Sequence, residues 1–273
     1  MYLRSHIGRP VDVRVRSNLL LVILLAAVGV IAIALWVSGD SAEIIFFAPA
    51  YVFFTWAVIR EVDPDHNWTA LVAAAAAGGW VLIGGDRVSV LALGVLILVG
   101  RLVTGTTGRR PLLSDLVALL LAALIAFTGE SWVVAFGLAI ALYLDVGFSE
   151  TSHRVQIWVS AGVAVAATLM ATLTNAFPTM LPGVRPTVAI AAGALALILV
   201  VREPAEPITQ VDARHKAFLR QDRLHASRTL VGMVVFAMSL VTGIDNGGLV
   251  PTLLALGLVV VSNEIELIRR RRI

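Results

Sequence analysis

Residues 68–103 read WTALVAAAAAGGWVLIGGDRVSVLALGVLILVGRLV. Whether this run is one helix or two decides how the rest of the chain is divided. A bilayer core of about 30 Å takes roughly 20 apolar residues per helical crossing, with 17–25 the usual range. The run has 36 residues, too many for one crossing. A single helix would also carry Asp86 and Arg87 into hydrocarbon, where charge is costly. The glycines and charges at 84–87 are therefore read as a turn, with segments 68–84 and 88–103 on either side.

The same reading extends along the chain. Of 273 residues, 59% are hydrophobic and 14% charged, and the mean hydropathy is +0.91. Soluble domains carry about 25% charged residues, so the composition lies in the membrane class. Ten apolar segments stand out: 18–38, 43–60, 68–84, 88–103, 112–128, 131–147, 157–176, 186–201, 229–244 and 248–263. The expectation is a single all-α domain over 1–273, a polytopic integral membrane bundle of about ten helices in the cell membrane. Residues 1–17 form a basic N-terminus whose following apolar run is too long for a cleaved signal peptide. The chain has no cysteine, which excludes disulfides and thiolate metal sites.

Basic residues set the orientation. With a cytoplasmic N-terminus, 19 of the 21 Lys and Arg fall on the cytoplasmic side, and only Arg87 and Arg185 fall outside. Positive residues are held inside during insertion, so both termini are expected in the cytoplasm. Trp36, Trp68, Trp80, Trp132 and Trp158 lie near segment ends, as amphipathic rings at the headgroup layer do. Ten spans also permit a five-plus-five arrangement, the geometry of inverted-repeat transporters, although the two halves do not align. Ala74/Gly78, Gly162/Ala166 and Ala189/Gly193 are small-residue pairs suited to close helix packing.

No carboxylate falls near a segment centre, which argues against a proton-coupled pathway. Polar residues gather at the cytoplasmic rim instead. Between the second and third segments stand Arg60, Glu61, Asp63, Asp65 and His66. Between the fourth and fifth stand Arg101, Thr106, Thr107, Arg109 and Arg110, in a Gly- and Thr-rich turn entering a helix. Such a turn can cradle phosphate through backbone N–H groups, helix dipole and bidentate arginine. Arg101, Thr106, Thr107, Arg109 and Arg110 are thus the expected headgroup or anion site. Asp63 and Asp65 are hard oxygen ligands that would suit Mg²⁺ beside a substrate phosphate. The competing reading makes them helix caps in a solvated turn, and Pro64 opposes turning the two carboxylates together. Asp145, Glu150, His153 and Arg154 form a third polar group.

Two further segments concern partners. Residues 202–228 are a cytoplasmic loop, expected to hold an interfacial amphipathic helix with Ile208, Val211, Phe218 and Leu219 on one side. The tail 264–273 ends in Arg269 to Arg272, which should attract anionic lipid. Nucleic acid is not an expected partner. A homo- or hetero-oligomer remains open. Three functions follow from these features: binding a lipid headgroup or lipid-linked phosphate at the cytoplasmic rim, transport of a neutral or amphipathic solute by a ten-helix bundle, or a structural role within a larger membrane complex. No catalytic residues are assigned.

Overall fold

A computed structural model describes residues 13–85, 89–105, 113–128, 132–148, 154–173, 186–204, 207, 210–212, 217–240 and 249–271. The described residues form ten helices: α1 (Arg16–Val37), α2 (Ile44–Val62), α3 (Asn67–Leu82), α4 (Val90–Thr104), α5 (Leu113–Thr128), α6 (Trp132–Phe148), α7 (Arg154–Leu173), α8 (Pro186–Val201), α9 (Gln221–Leu240) and α10 (Val250–Arg271). Each covers most of one apolar segment. Among the described residues, three are long and apolar enough to cross a membrane: Arg16–Val37, Ile44–Val62 and Val250–Arg270. Five shorter helices are also apolar.

The long run at 68–103 does break. After α3 the chain turns on Gly84, whose φ of 77° is cheap only for glycine. Gly84 N donates to Val81 O and Gly85 N to Trp80 O. This pair of bonds is the Schellman closure, which satisfies carbonyls left over at a helix end. Gly39 closes α1 in the same way, with Gly39 N bonded to Trp36 O and Asp40 N to Leu35 O. Asp86 and Arg87 lie outside the described residues.

Short connections make neighbouring helices antiparallel. Side-chain contacts then bring the C-terminal ends of α2, α4, α6 and α10 together with the N-terminal ends of α7 and α9. α4 packs on α2, α5, α6 and α9. α10 lies against α2, α3, α8 and α9. One apolar core runs through the bundle, from Leu21 and Val52 to Leu138, Val235 and Val259.

Small residues set the closest approaches. A Cβ at Gly78 would stand 2.5 Å from Val52 Cγ2 and 3.3 Å from Val28 Cγ2, so α1, α2 and α3 meet there without room for a side chain. Gly193 packs against Phe236 of α9 in the same manner. The pair Gly162/Ala166 does not act this way. Gly162 is exposed, with nothing within 4 Å of its Cβ position.

The segment 202–228 differs from its expected helix. Strands β1 (Gln210–Asp212) and β2 (Ala217–Phe218) pair antiparallel, and α9 starts only at Gln221. Val211 and Phe218 are strand formers, and Pro204 and Pro207 discourage a helix before them. Gln221 Nε2 donates to Pro204 O at 2.7 Å, fixing the start of α9. Residues 221–228 are helical as expected, but as the first two turns of α9.

Substitution of Gly78 by Val should lower the melting temperature in detergent, with a loss of about 1–3 kcal/mol from overpacking. Gly162→Ala should be neutral or stabilising by up to about 1 kcal/mol, from helix propensity. Equal effects at the two sites would show that α1, α2 and α3 do not meet at Gly78.

Candidate functional site

The polar site begins with the last turn of α2. Arg60, Glu61 and Asp63 point in three directions, because successive helical residues are about 100° apart. Arg60 Nη1 donates to Pro64 O at 2.8 Å and to Asn67 Oδ1 at 2.5 Å, which ties the turn to the start of α3. Glu61 is buried and receives Arg101 of α4, with Nε at 2.7 Å and Nη2 at 2.6 Å from Oε1. Gly100 permits this approach: a Cβ there would lie 3.2 Å from Glu61 Cβ.

Asp63 is 1% exposed and faces the opposite way, into α9 and α10. Its Oδ1 accepts from Arg228 Nη2 at 3.2 Å and from His66 Nδ1 at 2.8 Å, and its Oδ2 from Ser262 Oγ at 2.7 Å. Arg228, 4% exposed, also donates to Val62 O (Nε, 2.7 Å) and Asn263 Oδ1 (Nη1, 3.1 Å). Asn263 Nδ2 in turn donates to Glu203 O, just past α8. Burying two charges is costly unless their hydrogen bonds are also met, and here the guanidinium and both carboxylate oxygens have partners.

A third pair joins α6 to α9. Asp145 accepts from Arg223 Nη2 at 2.7 Å and from Gln156 Nε2 of α7 at 2.9 Å. Arg223 also lies 5.4 Å from the Phe148 ring centroid, a cation–π distance. Ser227 completes the set by donating to Gly100 O. The first two turns of α9 therefore reach α2, α4, α6 and α10 through Arg223, Ser227 and Arg228.

Beside this network, α2 and α4 form the floor of a groove of about 680 Å³. Its polar lining is Asn18, Arg60, Glu61 and Arg101, and the rest is apolar, including Phe46, Phe53, Phe54 and Trp56. α1 and α5 each contribute to the lining, and among the described residues they make no contact with each other. α1 and α5 therefore do not close the groove by contact with each other. Two guanidinium groups and one carboxylate sit at the end where α2 and α4 finish, and the apolar part runs toward the start of α2.

The structure separates residues that the sequence grouped together. Arg101 lines the groove and pairs with Glu61. Asp63 instead belongs to the Arg228 network, and Asp65 sits half-buried in the turn. Among the described residues no group of three or more His, Asp or Glu side chains is arranged to hold a metal ion. Thr106, Thr107, Arg109, Arg110, Glu150 and His153 lie outside the described residues. Sequence reasoning passed over Arg228, Ser262, Asn263, Arg223 and Gln156. Their signal was position: each stands at a segment end assigned to the same side as Asp63. The chain matches no protein family, no curated protein and no solved structure.

Removing Arg228 as Arg228→Met should destabilise the protein by about 3–5 kcal/mol, since it strands a buried carboxylate. The double variant Arg228→Met, Asp63→Leu should recover much of that loss in thermal unfolding. No recovery would mean that the pair is not coupled.

His66 gives a pH dependence. Its hydrogen bond to the Asp63 carboxylate raises its pKa above 6.5, against an opposing effect of burial. A raised folded pKa gives stability that is complete below the unfolded value and is lost as pH rises through the folded value. Melting temperature should therefore fall from about pH 6.5 upward, and His66→Gln should flatten that slope. An unchanged slope in the variant would contradict the assignment.

Proposed function

We propose that the chain is a multi-pass membrane protein that binds an anionic lipid, by its headgroup or as a lipid-linked phosphate, in the groove between α2 and α4. All ten helices cross the bilayer in this reading, with both termini in the cytoplasm. Several observations support it. Large apolar side chains stand exposed on outward faces, among them Val30 at 67%, Trp158 at 75% and Ile190 at 71%, more than a water-facing surface tolerates. Lys and Arg concentrate at the ends where the ion pairs gather. α4, the shortest helix at 15 residues, spans about 23 Å. It packs on α2, α5, α6 and α9, and short spans are also met by local thinning.

The observation that carries the binding reading is the groove's division into a charged end and an apolar length. Arginine at one end suits a phosphate oxygen. The lack of contact between α1 and α5 suits a molecule that arrives within the membrane. An ordinary water-filled substrate cleft would place polar groups along its length, and this one places them at one end.

The test is lipid retention after purification from native membrane, read by mass spectrometry. Arg101 cannot be removed alone without stranding Glu61, so the variant is Arg60→Gln with Glu61→Gln and Arg101→Gln. Retained anionic lipid should fall about tenfold, as expected for loss of charged hydrogen bonds. Replacing Arg269 to Arg272 by Gln should leave it in place. Retention that follows the tail and not the groove would contradict the reading.

A further inference from the structure

The last helix has two apolar faces. One is buried in the bundle, through Thr252, Leu256, Val259 and Asn263. The other points outward and carries Leu254, Leu258, Val261, Ile265 and Ile268. Leu258 is half-buried and the other four are exposed. Their spacing is four, three, four, three, which is the alternation of a coiled-coil seam.

Within the membrane such a stripe is ordinary, because lipid can cover it. Its continuation is not. Ser262 and Asn263 belong to the polar network around Asp63 and Arg228, which marks the charged end of the bundle. α10 continues from there as one helix to Arg271. Ile268 stands about 9 Å past Ser262 at 1.5 Å per residue, and the headgroup layer adds only about 5–7 Å on each side of the hydrocarbon. Ile265 and Ile268 are 56% and 52% exposed there, among charged neighbours. An apolar strip on a charged helix end calls for a cover.

The charges beside the strip say what covers it. With Leu258 and Ile265 at the a positions, and Leu254, Val261 and Ile268 at the d positions, Glu264 takes position g and Arg269 the following e. In a parallel pair of helices, g of one chain meets the next e of the other. Glu264 and Arg269 therefore give one opposite-charge pair on each side of a self-pairing seam. Two copies inserted in the same membrane have the same orientation, so their α10 helices run parallel. Glu266 and Arg270, bonded to each other at 3.0 Å, lie at b and f, off the seam. Glu264 is also 3.4 Å from Arg202 of its own chain, a half-exposed contact that leaves it at the edge of the strip.

The membrane half of this face is shaped to match. A groove of about 650 Å³ runs beside the stripe, between α10, α8 and α3, with Ala76, Ala191 and Gly257 among its lining. Small residues let helices approach closely where lipid gives no hydrophobic drive. A two-fold contact needs a patch that complements itself, and here a ridge of Leu254 and Val261 borders a groove of its own width class.

We infer that α10 docks on α10 of a second copy of this chain, in parallel, through Leu254, Leu258, Val261, Ile265 and Ile268, with Glu264 of each copy facing Arg269 of the other. This rests on the membrane reading above and not on the lipid groove between α2 and α4. α10 is already folded against its own bundle, so pairing carries little ordering cost.

The experiment reconstitutes the full chain in phosphatidylcholine vesicles and measures energy transfer between copies as the protein is diluted in lipid. The dyes sit on a cysteine added after Ile273, since the chain has none of its own. Ile265→Ser with Ile268→Ser should weaken pairing about tenfold. Gly257→Phe should weaken it similarly by filling the groove, and a Cβ there meets only Leu195 Cδ2 at 4.0 Å, so the single copy accommodates it. Glu264→Arg and Arg269→Glu chains should each pair poorly with themselves. Mixed together they should pair about tenfold better, since every g–e contact is then of opposite charge. Loss of the Arg202 contact alone would weaken all pairings of the Glu264→Arg chain and give no such preference. If the chain floats with the vesicles but is monomeric, or if mixed and like pairs form equally, the inference is overturned and the membrane reading stands. If it does not float with the vesicles, both fall.

Discussion

The pairing of Asp63 with Arg228 is the constraint on which the polar end of the bundle depends. Neither charge can stay buried without the other. Each also holds a different set of helices. Asp63 fixes the end of α2 and accepts Ser262 of α10, while Arg228 belongs to α9 and reaches Val62 and Asn263. With those helix ends fixed, Ser227 falls against Gly100 of α4, and Arg223 falls against Asp145 of α6. Glu61 sits two residues before Asp63 on α2 and so faces α4 and the groove. The orientation of the groove's charged end is thus a consequence of an ion pair that takes no part in lining it.

Much of the helical frame was legible in the sequence, and the reason is physical. Long apolar runs broken by Gly, Pro and charge have few alternatives to helices and turns, and Gly84 and Gly85 ended α3 where the composition suggested. Segment ends were less legible. α9 begins eight residues before the ninth apolar segment, and α10 continues eight beyond the tenth, because charged turns can stay helical when their side chains find partners. The loop 202–228 shows the opposite case: its apolar spacing fitted a helix, but Val211 and Phe218 are used in a short strand pair.

The site was legible only as a location. The turn at 60–66 and Arg101 were singled out, but their partners were not. Asp63 meets residues 165 and 199 positions away, and no local spacing rule reaches that far. The sequence joined Asp63 with Arg101 because both are charged and lie on the same side. The helix geometry divides them, since Glu61 and Asp63 project to different neighbours.

The charged network and the apolar groove share the end of α2. The most direct measurement is an experimental density map of the full chain purified in native lipid. The account predicts one elongated density along α2 and α4, with its polar end between Arg60 and Arg101, beside an intact Asp63–Arg228 pair. A groove closed by contact between α1 and α5, or Arg228 turned away from Asp63, would contradict it.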